Sequence, residues 1–233
     1  MSKEMTLVTP GSVAKWDEIY ASGSADKKYP NLDLVRLEKW FFKTGKGRLL
    51  EYAFGCGENL LHLLECGYTV DGVDVSIEAK KLTERKFIHR PELAKRATII
   101  HLSSDVTRLP YEDERFDFVN CLSVLSLLGS PERAQYLLWE FSRVMKPGAK
   151  IIADINGPDS DFVHNSTPLG NDIYETKGHG GSDKPHLSYC PKDSATFVEL
   201  VKPIFEIDDV GFSWHKYFHS EIQEFIICAH LRA

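Results

Sequence analysis

Two acidic residues frame a glycine-bearing turn in the first half of this 233-residue chain. Glu51 lies in one apolar run, Gly55 and Gly57 follow it, and Asp74 closes the next apolar run. Glycine allows the backbone to approach a ligand where a Cβ would clash. An acid at the end of the second strand can accept hydrogen bonds from both hydroxyls of a ribose. The spacing therefore predicts a site for a nucleoside-containing ligand at the carboxyl edge of a parallel sheet.

The apolar patterning predicts the elements that would position these residues. Short apolar runs alternate with helical patterns, as the crossover connections of a parallel sheet require. We predict a three-layer α/β fold, with helices on both faces of a doubly wound, seven-stranded, mostly parallel sheet and an antiparallel hairpin at its edge. The predicted strands are 48–52, 68–75, 97–102, 116–122, 150–155, 205–210 and 224–231. The predicted helices are 58–66, 77–87, 131–144 and 194–201.

Two segments fall outside this alternation. Residues 1–46 have a helical and aromatic pattern, and we expect them to cap the sheet edge. Residues 156–191 are rich in Gly, Pro, Ser, Asp and His without a sustained period, which is typical of a lid or a binding loop. We expect a single domain, 1–233, made of the cap (1–46), a ligand-binding core (47–155), the lid (156–191) and a closing helix with the hairpin (192–233).

The composition limits the class of protein and its partners. A net charge of −6 argues against nucleic acid, whose phosphates favour a basic surface. No apolar run approaches the roughly 20 residues of a membrane-spanning helix. The first residues lack the apolar stretch of a signal peptide, so we expect a cytoplasmic protein without a membrane partner. The five cysteines form no Cys-x-x-Cys pair, which argues against a disulfide framework and a metal site.

The sequence around the turn resembles the first motif of class I S-adenosylmethionine-dependent methyltransferases. The pattern in that family is Asp-x-Gly-x-Gly-x-Gly. This chain has Glu51 for the Asp and Ala53 for the first Gly, and it keeps Gly55 and Gly57. The resemblance implies a Rossmann-like methyltransferase fold, with S-adenosylmethionine as the methyl donor and S-adenosylhomocysteine as the product.

Further landmarks follow in the order of the family. Residues 74–76 (DVS) resemble the Asp-x-Ser at the end of the second strand, whose Asp holds the ribose. Residues 104–106 (SDV) are similar to a Gly-Asp-Ala run, which implies that Asp105 accepts a hydrogen bond from the adenine amino group. Residues 142–149 (SRVMKPGA) resemble the Arg-Val-Leu-Lys-Pro-Gly-Gly turn before the fifth strand. The resemblance spans residues 48–154.

An aromatic segment before the first strand resembles one that small-molecule members of the superfamily fold over the cofactor. Its Trp16 and Tyr20 lie one helical turn apart, a spacing that is also common for residues packed in a core. The predicted cofactor-binding residues are Trp16, Tyr20, Glu51, Gly55, Cys56, Gly57, Asn59, Asp74, Val75, Ser76, Asp105, Val106 and Leu122.

One departure from the family concerns the catalytic base. Ser126 and Leu127 stand after the fourth strand, where many relatives have a His pair or Glu-His. Methyl transfer can run on proximity and orientation alone when the nucleophile is good, whereas a hydroxyl or phenol acceptor needs a base. No catalytic residue is assigned. The candidates for a base lie in the lid and are His164, Tyr174, His179, His186 and Tyr189.

The sequence thus predicts methyl transfer from S-adenosylmethionine to an unidentified acceptor. A small molecule is the favoured acceptor, a protein side chain stays open, and nucleic acid is disfavoured. One alternative is a non-catalytic S-adenosylmethionine-binding regulatory or partner subunit, which the missing base would explain. The other is a nicotinamide-dependent oxidoreductase, disfavoured because Leu60 stands where a dinucleotide fingerprint has its third Gly or Ala. The oligomeric state is not predicted.

Overall fold

The computed structural model describes residues 5–9, 12–43, 45–176, 184–218 and 220–232. Its strands are β1 (Arg48–Tyr52), β2 (Thr69–Asp74), β3 (Ala97–His101), β4 (Phe116–Cys121), β5 (Met145–Asn156), β6 (Ser166–Gly170), β7 (Ile173–Thr176), β8 (His186–Tyr189), β9 (Phe205–Tyr217) and β10 (Ser220–Leu231). Its α-helices are α1 (Ser12–Ala21), α2 (Leu32–Leu37), α3 (Glu58–Cys66), α4 (Ile77–Ile88), α5 (Pro91–Ala94), α6 (Pro131–Val144), α7 (Asp161–His164) and α8 (Ser194–Val201). A π-helical turn (Glu38–Phe42) continues α2, and a 3₁₀ turn (Leu125–Leu128) follows β4.

Seven strands form one sheet in the order β3-β2-β1-β4-β5-β10-β9. The strands β1 to β5 pair in parallel, and β10 runs antiparallel to both β5 and β9. The predicted seven-stranded, mostly parallel sheet with an antiparallel hairpin is therefore confirmed. The chain order reverses between β1 and β4, and the crevice at such a switch point is where open α/β sheets bind ligands.

Helices cover both faces of this sheet because neighbouring residues of each strand point to opposite sides. Leu50 of β1 belongs to a core that α6 and α8 bury, and Leu49 belongs to a second core that α3 buries. In α6, apolar residues at helical spacing such as Leu137, Leu138 and Phe141 are fully buried. The result is the predicted arrangement of three layers. Within the described residues, no helix has the length and apolar character needed to cross a membrane.

The edge hairpin is longer than its sequence pattern predicted. β9 continues to Tyr217 instead of ending near residue 210, and β10 begins at Ser220 instead of Glu224. The extension carries two aromatic residues, Phe212 and Trp214, that are exposed instead of packed in the core.

The segment 156–191 is more ordered than we expected from its composition. Its described residues form α7 and a three-stranded antiparallel sheet in the order β6-β7-β8. Strand β6 is largely exposed and contains Pro168 and Gly170, so no apolar alternation marks it as a strand. The interpretation of this segment as irregular is thus wrong for the described part, because pairing with β7 imposes the strand conformation.

Candidate active site

A cavity of about 590 Å³ opens at the carboxyl edge of the parallel strands. This volume lies within the range of roughly 300–1,000 Å³ that is usual for ligand pockets. The cavity lies among the ends of β1, β2, β4 and β5, with α1 and α7 contributing to its walls. The predicted cofactor-binding residues that line it are Trp16, Tyr20, Gly55, Cys56, Asn59, Asp74, Val75 and Leu122.

The turn between β1 and α3 holds its shape through three residues with left-handed backbone. Ala53, Gly55 and Gly57 have φ of 58°, 54° and 86°. A Cβ at Gly55 would lie 2.5 Å from the hydroxyl of Tyr20, so only glycine fits there. The turn therefore presents its backbone to the cavity without a side chain at this point.

Asp74 is fixed at the end of β2 by two backbone donors. The N–H of Gly55 donates to Oδ2 and the N–H of Ser76 donates to Oδ1, each over 2.8 Å. Burial raises the pKa of Asp74 to about 6, against the lowering effect of these hydrogen bonds. Each carboxylate oxygen keeps a further lone pair, so Asp74 can still accept two hydroxyl donors from the cavity.

Glu51 lies behind the cavity wall and does not line it. Its Oε2 accepts a 2.8 Å hydrogen bond from Nδ2 of Asn120, and Asn59 also hydrogen-bonds to this carboxyl. Burial raises the pKa of Glu51 to about 8. Asn59 lines the cavity and accepts a 2.8 Å hydrogen bond from the backbone N–H of Asn31, just before α2. Glu51 thus contacts the cavity wall through Asn59.

Helix α1 is anchored beside the glycine turn. Oδ1 of Asp17 accepts a 2.5 Å hydrogen bond from the hydroxyl of Ser76, at the start of α4. The rings of Trp16 and Tyr20 lie 6.0 Å apart, and both line the cavity. Burial and the nearby Asp74 raise the pKa of Tyr20 well above its usual value, so its hydroxyl stays protonated. The aromatic pair is therefore both packed and exposed to the cavity.

Four predicted residues besides Glu51 lie outside the cavity lining. Gly57 is the N-cap residue of α3, and the hydroxyl of Ser76 accepts a 3.1 Å hydrogen bond from the N–H of Ala79. Asp105 is exposed and accepts a hydrogen bond from the hydroxyl of Ser103. The carbonyl of Val106 accepts a 2.8 Å hydrogen bond from the N–H of Leu7, which does line the cavity. Adenine recognition by Asp105 stays a prediction.

The lid places its candidate bases away from the cavity. His164 lies 3.7 Å from Glu221 and is substantially exposed, and Tyr174 is partly buried on β7. His186 and Tyr189 are buried on β8. None of these four lines the cavity, to which the described part of the lid contributes Asn156 and Phe162. His179 lies outside the described residues.

The position after β4 also supplies no base. The hydroxyl of Ser126 accepts a 2.8 Å hydrogen bond from the backbone N–H of Asn156, and Leu127 lines the cavity with its apolar side chain. Ser126 thus connects the 3₁₀ turn to the end of β5.

The cavity lining includes residues that were not predicted from the sequence, among them Asn156, Phe162, Ile222 and Glu224. The available signal was Glu224, an acid at the head of the apolar run 224–231. Burial and the nearby Asp33 raise the pKa of Glu224, Lys27 lowers it, and the resulting pKa is about 7.

Residues 50–153 match a protein family described as a methyltransferase domain. This part of the chain is a methyltransferase domain. The match covers β1 to β5, including the glycine turn and Asp74. The prediction of a methyltransferase is thereby confirmed for residues 50–153.

A curated relative is the glycine/sarcosine N-methyltransferase of Aphanothece halophytica, 30% identical over 152 residues, or 62% of this chain and 52% of the relative. The chain spans about half the length of the curated relatives it matches. Among solved structures, an S-adenosylmethionine-dependent methyltransferase from Methanosarcina mazei has a TM-score of 0.70 at 20% identity, covering 88% of this chain and 99% of that one.

A second solved structure is the 1,6-didemethyltoxoflavin-N1-methyltransferase of Burkholderia thailandensis, with 1,6-didemethyltoxoflavin and S-adenosylhomocysteine bound. Its TM-score is 0.65 at 13% identity, and the match covers 99% of this chain and 94% of that one. At such low identities the two structures show that the methyltransferase domain and its flanking segments share their fold.

Proposed function

We propose that this chain transfers a methyl group from S-adenosylmethionine to a small molecule. The observation that carries the proposal is the fixed carboxylate of Asp74 in the wall of the cavity at the carboxyl edge of the sheet. It lies beside a glycine turn and below the aromatic pair of α1. A carboxylate in this position suits the two hydroxyls of a ribose.

The residues of the cavity fit such a cofactor. Asp74 would hold the ribose, and Gly55, whose missing Cβ leaves room for the hydroxyl of Tyr20, would contact the ligand through its backbone. Trp16 and Tyr20 would cover the ligand from α1, which would exclude water from the site. When bound, S-adenosylmethionine supplies an electrophilic methyl group on a sulfonium.

The protein would contribute mainly orientation to the reaction. Within the described residues, none of the lid candidates faces the cavity, and Leu127 stands after β4 where many relatives have a base. An in-line displacement can proceed from proximity alone if the acceptor is already a good nucleophile. We therefore infer an acceptor atom that needs no base, such as an unprotonated nitrogen or a thiolate.

A small acceptor fits the enclosure of the site. The wall beyond β4 includes Phe162 of α7 and Ile222 of β10, so the acceptor end is bordered by the lid and by the edge hairpin. The relative from Aphanothece halophytica is by name an N-methyltransferase of glycine and sarcosine. The Burkholderia neighbour holds a small heterocycle together with S-adenosylhomocysteine. Both support a small acceptor here.

The packing of α3 disfavours a nicotinamide cofactor. Leu60 is fully buried, and a Cβ at Gly72 of β2 would lie 2.6 Å from its Cδ1. Helix α3 can thus approach β2 closely because Leu60 of the helix packs against a glycine of the strand. A dinucleotide fingerprint instead places a small residue on the helix.

Ligand-dependent unfolding tests the proposal. Thermal unfolding is measured with S-adenosylmethionine, S-adenosylhomocysteine and NAD⁺, each added separately. A ligand at 100 times its dissociation constant should stabilise the protein by about 2.7 kcal/mol. Stabilisation by both sulfur compounds, with transfer of labelled methyl to small nucleophiles, supports the enzyme. Binding without transfer to any acceptor would favour a regulatory subunit. Stabilisation by NAD⁺ alone would exclude both the methyltransferase and the S-adenosylmethionine-binding regulatory subunit.

A further inference from the structure

Glu224 has an unusual combination of burial and missing partners. Its side chain lines the cavity, yet the residue is only 7% exposed. Within the described residues, no hydrogen bond or ion pair involves its carboxyl group. A buried carboxylate is costly unless something pairs with it. The cavity is the direction from which such a partner can come.

The groups around Glu224 add to the negative charge. Asp154 on β5 is buried and accepts a 2.5 Å hydrogen bond from the N–H of Ser123, and electrostatic repulsion links it to Glu224. Asp33 on α2 also repels Glu224, while Lys27, which precedes α2 and lines the same cavity, is the cation that acts on it. Two carboxylates thus act on Glu224 against one ammonium group, and this excess of negative charge favours a positive ligand.

The position of Glu224 separates it from the ribose end of the cavity. Asp74 lies on β2 and Glu224 on β10, and the sheet order between them is β2-β1-β4-β5-β10. Four strand intervals of about 4.8 Å place the two carboxylates roughly 19 Å apart along the sheet. Glu224 pairs in register with Asn156, the last residue of β5, so it lies at the same carboxyl edge. The β5–β10 end is therefore free for a second molecule.

Several apolar side chains line the cavity together with Glu224. They are Phe162, Ile222, and Leu127 and Leu128 of the 3₁₀ turn, while the polar Asn156 pairs with Glu224 in register. Apolar side chains beside a buried carboxylate fit a ligand with a hydrocarbon body and one positive nitrogen. Because the carboxylate is desolvated, a charge-assisted hydrogen bond to it would be strong.

We propose that Glu224 binds a positively charged amine of the methyl acceptor and so selects for amphipathic amines. The proposal rests on the proposed function, because it takes the β5–β10 end of the cavity as the acceptor site. Glu224 is a specificity-determining residue in this account. Its distance from Asp74 makes the bound amine an anchor for the acceptor, distinct from the atom that is methylated.

Calorimetry in saturating S-adenosylhomocysteine tests the proposal. The probes are straight-chain amines from butylamine to octylamine, with the alcohols and carboxylates of the same chain lengths. The wild-type protein should bind the amines at least tenfold more tightly than the matched alcohols, and the carboxylates least. Glu224→Gln keeps the shape of the side chain, and it should weaken amine binding roughly 10- to 100-fold. Glu206→Gln, an exposed acid on β9, is the matched control.

The outcomes separate this proposal from the proposed function. Equal binding of amines and alcohols by the wild type, or no loss in Glu224→Gln, overturns the amine subsite even when S-adenosylhomocysteine binds normally. Loss of S-adenosylhomocysteine binding in Glu224→Gln also overturns it, since Glu224 would then serve the cofactor. Failure of the wild type to bind S-adenosylhomocysteine overturns the proposed function itself. The wild-type selectivity does not depend on the variant folding.

Discussion

The backbone N–H of Gly55 donates to Oδ2 of Asp74 over 2.8 Å, which joins the glycine turn to the end of β2. The same glycine lies against the hydroxyl of Tyr20 on α1. Three elements that are distant in sequence therefore meet at one residue without a side chain. Their meeting point is where we place the cofactor.

Gly55→Ala should disturb this junction in two separable ways. An alanine at φ 54° costs about 1–2 kcal/mol of backbone strain, and its Cβ would clash with the hydroxyl of Tyr20. Urea denaturation and S-adenosylhomocysteine calorimetry should both show a loss. Gly148→Ala is the matched control, since Gly148 has φ 74° and nothing within 4 Å of the added Cβ.

Removing the hydroxyl should relieve the steric part of that effect. In the double variant Tyr20→Phe/Gly55→Ala, the loss in free energy of unfolding should be smaller than in Gly55→Ala alone. It should equal the loss measured for Gly148→Ala. If the double variant is no more stable than Gly55→Ala alone, the close approach of Gly55 and Tyr20 is not what makes the alanine costly.

Glu51 should make the stability of the protein depend on pH. Burial raises the pKa of Glu51 from 4.5 to about 8, so the folded protein binds a proton that the unfolded chain releases. Stability therefore falls as pH rises from 4.5 to 8. Glu51→Gln has no carboxyl group at this position, so its stability does not depend on this ionisation. The free energy of unfolding of the variant, relative to wild type, should therefore rise by about 2–4 kcal/mol across that pH range. Urea denaturation at several pH values measures it, and a flat difference between the two proteins would be incompatible with a buried acid.

Lys15 and His186 join α1 to the lid. Nζ of Lys15 lies 2.8 Å from Nδ1 of His186 and donates to the carbonyl of Lys184 over 3.0 Å. Lys15 is fully buried, so Lys15→Met should destabilise the protein by about 1–3 kcal/mol, because buried acceptors lose their donor. Hydrogen exchange across β8 should become faster. The exposed Lys95→Met is the control, and unchanged exchange in β8 would show that the contact does not hold the lid.

The proposed amine subsite should respond to pH through Glu224. Burial and Asp33 raise the pKa of Glu224 to about 7, with Lys27 acting in the opposite direction. Asp154, whose pKa is also raised by burial and by Glu224, stays protonated more readily. Binding of hexylamine should therefore strengthen roughly tenfold from pH 6 to pH 8, as Glu224 ionises while the amine keeps its charge. Calorimetry on Glu224→Gln should show no such rise.

Local patterns predicted the core of the fold well. The strand 48–52 and the helices 58–66, 131–144 and 194–201 have the bounds that the sequence predicted. These elements carry continuous or periodic apolar residues, and their ends are marked by glycine, proline or a capping side chain. Gly67, for example, ends α3 with φ 114°. Where the signal is local, the sequence contains it in full.

Long-range pairing was harder to predict. Strand β6 forms because β7 lies beside it, and β9 continues because β10 pairs with it to Tyr217. The residues of the site likewise divide into those that a local pattern predicts and those that depend on long-range strand pairing. The turn and Asp74 belong to one local motif, whereas Glu224 reaches the cavity only because β10 inserts between β5 and β9. The residues around Glu224 in the sequence do not indicate that β10 pairs with β5.

Calorimetric titration of S-adenosylhomocysteine into wild type, Asp74→Asn and Asp209→Asn tests the central claim most directly. Asp209 is an exposed acid on β9 and serves as the control. We expect binding to wild type and Asp209→Asn, and a roughly 10- to 100-fold loss of affinity in Asp74→Asn, because a charged acceptor of the ribose hydroxyls is removed. Equal affinity in all three proteins, or no binding to wild type, would contradict the placement of the cofactor at Asp74.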